Sequence, residues 1–84
     1  MSIPIVHSMD MTRQIPMVLF ISSSIAAGGY DTRSGTLRLR YIDGDTYDYR
    51  NVPSAVFDDL LDATSKGRFV NRYVKPYYSY VRVV

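Results

Sequence analysis

The sequence has no cysteine, no glutamate and a single histidine. Each absence removes a class of function. Without cysteine there is no thiol nucleophile, no disulfide and no cysteine-based zinc or iron–sulfur site. Secreted domains of this size usually carry disulfides, so an 84-residue chain without them is expected in a reducing compartment, held together by packing alone. Long hydrophobic runs are also missing. The longest, which starts at residue 15, contains Pro16 and runs into serines, far short of a membrane span. The first residues lack the basic start and long apolar stretch of a signal peptide. A cytoplasmic protein without membrane attachment is expected.

The one histidine, His7, is read as a packing or surface residue, because no serine–histidine–aspartate motif accompanies it. Asp43-Gly44-Asp45 looks like a metal loop only at first sight, since the remaining calcium ligands are absent. Asp58, Asp59 and Asp62 fit the solvated face of a helix. Gly28-Gly29 lacks the spacing and the lysine of a phosphate loop. No catalytic residues, no metal and no cofactor are expected, and the protein is read as a non-enzyme.

What remains is an ordinary globular composition, 46% apolar and 21% charged, in a chain long enough for one domain. The net charge of +2 is small. Its distribution is uneven. All eight acidic residues are aspartates, ending at Asp62, while Lys66, Arg68, Arg72, Lys75 and Arg82 follow with no acid among them.

Residues 1–16, broken by Pro4 and Pro16, read as an N-terminal arm, either flexible or packed on the body or a second subunit. Residues 17–84 read as a single domain. One or two strands are expected in 17–31, where Ala26, Ala27, Gly28 and Gly29 suit close approach by another backbone. In 36–41, Leu37, Leu39 and Tyr41 alternate with Arg38 and Arg40, the period of a strand. A second strand, 46–52, carries Tyr47 and Tyr49 on one face. A two-residue turn at Asp43-Gly44 sets Tyr47 opposite Arg40 and Tyr49 opposite Arg38. A three-residue loop with Gly44 left-handed sets Tyr47 opposite Leu39, Tyr49 opposite Leu37 and Arg38 opposite Asp48. The second register separates an apolar face from a charge-paired one and is preferred.

Pro53 suits the first turn of a helix. Its apolar stripe is expected from Val56, Leu60 and Thr64 beside Phe57 and Leu61. Ser65 is a candidate N-cap for a second helix, with Phe69/Tyr73 and Val70/Val74 as neighbouring pairs, ended by Pro76. Residues 77–84 read as a last strand. The fold class is α+β: a small antiparallel β-meander of three to four strands, then two short helices and a C-terminal strand.

Basic and aromatic residues interleave in the last twenty positions. Single-stranded nucleic acid is bound by basic grooves that follow phosphates and by aromatic rings that stack on bases. Lys66, Arg68, Arg72, Lys75 and Arg82 are the candidate phosphate contacts, and Tyr77, Tyr78 and Tyr80 the candidate stacking residues. The plainer alternative makes Phe69 and Tyr73 core and leaves the charges as solubilising groups.

The series Ser22-Ser23-Ser24-Ile25, Gly29-Tyr30-Asp31, Leu37-Arg38-Leu39, Gly44, Tyr47-Asp48-Tyr49 and Val52-Pro53 resembles the KTSC domain. So does Leu60 through Asn71, with Tyr78-Ser79-Tyr80 at the end. The resemblance runs from Ser22 to Arg82. That family occurs as a tail on some lysyl-tRNA synthetases and as short stand-alone proteins of bacteria and their phages. It implies a binding domain with RNA as the suggested partner. Tyr47 and Tyr49 match its central motif and are assigned mainly to the core. The alternative is a phage or bacterial accessory protein that sequesters a nucleotide ligand or inhibits a host protein, as a homo-oligomer with pockets between subunits. A third reading is an assembly protein that pairs through an exposed strand edge.

Overall fold

The structure, a computed structural model, describes residues 15–83. The expected arm therefore lies outside the described residues, apart from Ile15 and Pro16. Alternation of side chains builds the rest. Five strands form one antiparallel sheet whose spatial order follows the chain: β1 (Val18–Leu19), β2 (Ile25–Asp31), β3 (Thr36–Tyr41), β4 (Thr46–Tyr49) and β5 (Tyr80–Val83). Helices α1 (Ser54–Asp62) and α2 (Lys66–Tyr73) lie between β4 and β5 in sequence. The last strand starts at Tyr80, later than the expected residue 77.

The β3–β4 hairpin takes the preferred register. Leu37 pairs with Tyr49, Arg38 with Asp48 and Leu39 with Tyr47. Three residues, Ile42, Asp43 and Gly44, make the loop, and the Tyr41 N–H donates to the Asp45 carbonyl at 2.8 Å. Gly44 has φ of 102°, a conformation that a side chain disfavours. The Asp43 carboxylate accepts from the Asp45 N–H at 3.0 Å, which braces the turn.

This register sends Leu37, Leu39 and Tyr49 to one face, where they join Ile25, Val52, Leu60, Val70 and Val74 in the core. Both helices pack there. Pro53 caps α1 from just outside its first turn. Of the expected stripe, Val56, Phe57 and Leu60 turn inward while Leu61 stays exposed, so the buried face is narrower than its periodicity suggests. Ser65 caps α2 as expected, its hydroxyl accepting from the Arg68 N–H at 3.3 Å. Tyr30 stacks on Phe57 with centroids 5.8 Å apart and donates its hydroxyl hydrogen to the Val52 carbonyl.

The opposite face carries the charge pair. Arg38 is buried and grips Asp48 with two bonds, Nε to Oδ1 at 2.7 Å and Nη2 to Oδ2 at 2.9 Å. The carboxylate holds the guanidinium pKa above its ordinary value, against the opposing effect of burial. Residues 15–17 cross the same face over Gly29. A Cβ built on Gly29 would lie 2.3 Å from the Pro16 carbonyl oxygen and 2.9 Å from Ile15 Cγ2. Only glycine admits this crossing, which buries Ile15.

Two outcomes follow from this face. Asp48→Ala leaves a buried guanidinium without its carboxylate and should cost about 3 kcal/mol of unfolding free energy, read from urea titration. The double change Arg38→Met with Asp48→Leu should recover most of that loss. Gly29→Ala should cost about 1–3 kcal/mol and open residues 15–17 to protease, because the crossing segment must lift.

Candidate functional site

The face that carries the core is not covered along its whole length. Tyr41, Tyr47 and Tyr80 lie on that face together with Tyr49, toward the Asp43–Asp45 loop. The four rings line an open cavity of about 390 Å³, completed by Asp43, Asp45 and Lys75. Lys75, just past α2, is the one lining residue from the helical layer.

The rings brace one another. Tyr47 meets Tyr41 edge-on at 5.6 Å and Tyr80 edge-on at 5.4 Å. Tyr49 and Tyr80, cross-strand partners, lie 5.5 Å apart. The Tyr41 and Tyr49 hydroxyls share a hydrogen bond at 2.8 Å. Burial pushes the Tyr41 phenol well above its ordinary range, reinforced by the bond to Tyr49. Burial also raises Tyr49, with the Tyr41 hydroxyl acting in the opposite direction. Both stay neutral across physiological pH and serve as hydrogen-bonding groups. The Lys75 ammonium lies over the Tyr41 ring at 5.5 Å. Arg82 pairs with Asp45 at 2.9 Å across the rim. The floor is therefore aromatic, while Lys75 and Arg82 balance Asp43 and Asp45 around it.

A second groove of about 630 Å³ lies elsewhere on the surface, lined by Val56, Asp59, Phe69, Tyr73, Tyr77 and Tyr78. The expected site residues thus divide among several places. Lys75 and Tyr80 enter the tyrosine cavity and Arg82 its rim, whereas Tyr77 and Tyr78 belong to the second groove. Arg68 and Arg72 are exposed on α2 and line neither. Lys66 is committed to structure. Its ammonium donates to the Leu61 and Ala63 carbonyls at 2.9 and 2.7 Å, closing the C-terminal end of α1. It also lines a small polar cavity of about 190 Å³ with Ser22, Ser23 and Ser24.

Tyr47 and Tyr49 join the core cluster, Tyr49 within it and Tyr47 packed against it, and both also face the cavity. Sequence reasoning did not bring in Tyr41, Asp43 and Asp45. Alternation already sets Tyr41 on the face of Tyr47, so the tyrosine cluster was half visible. Where the helical cover stops was not. Among the described residues there is no group of three or more histidine, cysteine or acidic side chains placed to hold a metal. Nor is any described helix long and apolar enough to cross a membrane.

Comparison with known proteins agrees with this architecture. The KTSC domain family matches residues 21–78. A protein of Tsukamurella paurometabola is 58% identical over 55 residues, which span 66% of this chain and 82% of that one. The lysine–tRNA ligase of Nostoc punctiforme is 33% identical over 60 residues, 71% of this chain but only 11% of the ligase. In three dimensions, the crystal structure of a KTSC domain protein from Yersinia pestis superposes with a TM-score of 0.79 at 28% identity, covering 83% of this chain and 99% of that one. A small α+β sheet with two helices, an ordered run of shared residues and a matching solved structure lead to one assignment: the chain belongs to the KTSC domain family.

Proposed function

We propose that the domain is a non-catalytic binding module that takes single-stranded nucleic acid, RNA foremost, in the tyrosine cavity. One observation carries this reading: four tyrosines and the Lys75 ammonium meet in a single cavity of about 390 Å³. That volume lies within the usual span of small-ligand sites, roughly 300–1,000 Å³. Tyr80, 56% exposed, offers a ring on which a base stacks. Tyr41, its hydroxyl bonded to that of the buried Tyr49, presents a neutral hydroxyl to a base edge. Lys75 and Arg82 meet the phosphates that flank the base. The relation to a segment of lysine–tRNA ligases supports the same direction by association. The raised phenols argue against tyrosinate chemistry, which suits a binding role.

A second reading is favoured by the charge balance at the cavity. Asp43 and Asp45 line it, and a long phosphate chain leaving the base would pass them. A free nucleotide avoids that passage, in line with a sequestering accessory protein. Salt separates the two readings, because a strand that meets several phosphates releases several counterions.

Tyr80→Ala should weaken single-stranded RNA about tenfold, the loss of one stacked base, in a titration at low and physiological salt. Lys75→Gln should lower the salt slope by about one ion, whereas Tyr77→Ala should leave affinity unchanged. RNA affinity that Tyr80→Ala and Lys75→Gln do not alter would sink the assignment of this cavity. Tight, weakly salt-dependent binding of a mononucleotide alone would favour the second reading.

The two raised phenols make stability depend on pH at the alkaline end. A tyrosine whose folded pKa lies above its unfolded value contributes fully below the unfolded pKa and loses that contribution as pH rises past it. The window therefore opens near the ordinary value of 10.0. Unfolding free energy should fall above about pH 10. Tyr41→Phe should flatten that fall in thermal melts recorded from neutral to alkaline pH.

A further inference from the structure

We propose that the second groove is a docking site for a lysine side chain of a partner polypeptide. Four aromatic residues (Phe69, Tyr73, Tyr77 and Tyr78) line it with Val56 and a single charged group, the carboxylate of Asp59. Ring faces carry negative potential and attract ammonium and guanidinium groups. The groove shows this already at its margin, where the Arg72 guanidinium lies over the Tyr73 ring at 5.9 Å.

The electrostatics select a cation. Helix α1 contributes Asp58, Asp59 and Asp62, all exposed, and bears no basic residue. No ion pair or hydrogen bond holds Asp59 to another described residue, so its carboxylate faces the groove unengaged. Tyr77 and Tyr78 are thereby assigned to a different ligand from Tyr80, although only two residues separate Tyr77 from Tyr80 in sequence.

Shape selects a side chain that belongs to a polypeptide. The groove holds about 630 Å³ and is open along the surface, more than a lone ammonium group fills. A lysine enters with its ammonium toward Asp59 and its alkyl stem along Val56 and Phe69, while the flanking backbone runs over Tyr77, which is 70% exposed. Tyr73, half exposed, closes one side through its contact with Phe69 at 5.1 Å.

The test compares two short peptides of glycine and alanine with one central residue, lysine in the first and norleucine in the second. Norleucine keeps the alkyl stem and deletes the charge. Binding is followed by NMR on the tyrosine ring signals of the intact protein. The lysine peptide should move Tyr73 and Tyr77 and bind about tenfold more tightly than the norleucine peptide. Asp59→Asn should weaken the lysine peptide about fivefold and leave the norleucine peptide and the melting temperature unchanged. Tyr77→Leu should abolish the preference for lysine while sparing single-stranded RNA. Equal binding of the two peptides, or no ring shift at millimolar lysine peptide, would overturn the proposal. So would an RNA oligonucleotide that shifts the Tyr73 and Tyr77 rings in place of those in the tyrosine cavity.

Discussion

The register of the β3–β4 hairpin is the constraint on which the other features rest. A loop of three residues, with Gly44 left-handed, sets Leu37 against Tyr49 and Leu39 against Tyr47. Side chains in a strand alternate with a period of two, so a slip by one residue moves every group on that strand to the other face. Such a slip would turn Arg38 into the apolar core and Leu37 and Leu39 away from the helices. Both the core and the tyrosine cavity depend on these pairings. The turn itself costs little, because glycine takes the required conformation without a steric penalty and the Asp43 carboxylate satisfies an N–H within the loop.

The two faces of the sheet are stabilised by different physics. On the helical face, burial of apolar surface dominates, and Leu37, Leu39, Leu60, Val70 and Val74 have no measurable exposure. Among the described residues, both helices lie on the core face and none on the opposite one. The opposite face is closed by a bidentate arginine–carboxylate pair and by residues 15–17 crossing at Gly29. A buried pair of this type is weak evidence for stability and stronger evidence for a specified register, because an unpaired buried guanidinium penalises any other pairing. The outer strands differ as well. β1 has only two residues, which limits the exposed ladder at that edge, while β5 presents four.

Among the described residues, two aromatic surfaces lie open beside the helices, and their charges differ. In one, Lys75 and Arg82 offset Asp43 and Asp45 above a floor of tyrosines. In the other, Asp59 is the charged lining residue among aromatic rings, with Arg72 over the Tyr73 ring at the margin. Aromatic faces are permissive, stacking on bases and accepting cations alike. In the readings proposed for the two surfaces, the neighbouring charge separates the partners. The basic residues of the C-terminal quarter therefore lie in several places. Lys66 closes a helix end, Arg72 covers a ring, Arg82 pairs across the sheet, and Lys75 faces the aromatic floor.

Local chemistry made much of the fold legible. The alternation of Leu37, Leu39 and Tyr41, the Asp-Gly turn, the Ser65 cap and the helix-ending Pro76 each act over a few residues, and each appears where the residues imply it. The Arg38–Asp48 pair was legible for the same reason, since one register alone gives two consistent faces. The sequence by itself thus determined the order of the main elements, the hairpin register and most of the core, with Leu61 left outside it and Ile15 brought in. Tertiary structure decided which core-facing residues remain open to solvent. Tyr41 and Tyr47 lie on the same face as Leu37 and Leu39, and nothing in their spacing says where the helical layer ends. That boundary depends on how α1 and α2 cross the sheet, which is set by long-range packing. For the same reason Tyr77 and Tyr80 cannot be assigned to different sites from their spacing alone. The chain turns between them into β5, and only the folded molecule sets one beside Asp59 and the other beside Tyr47.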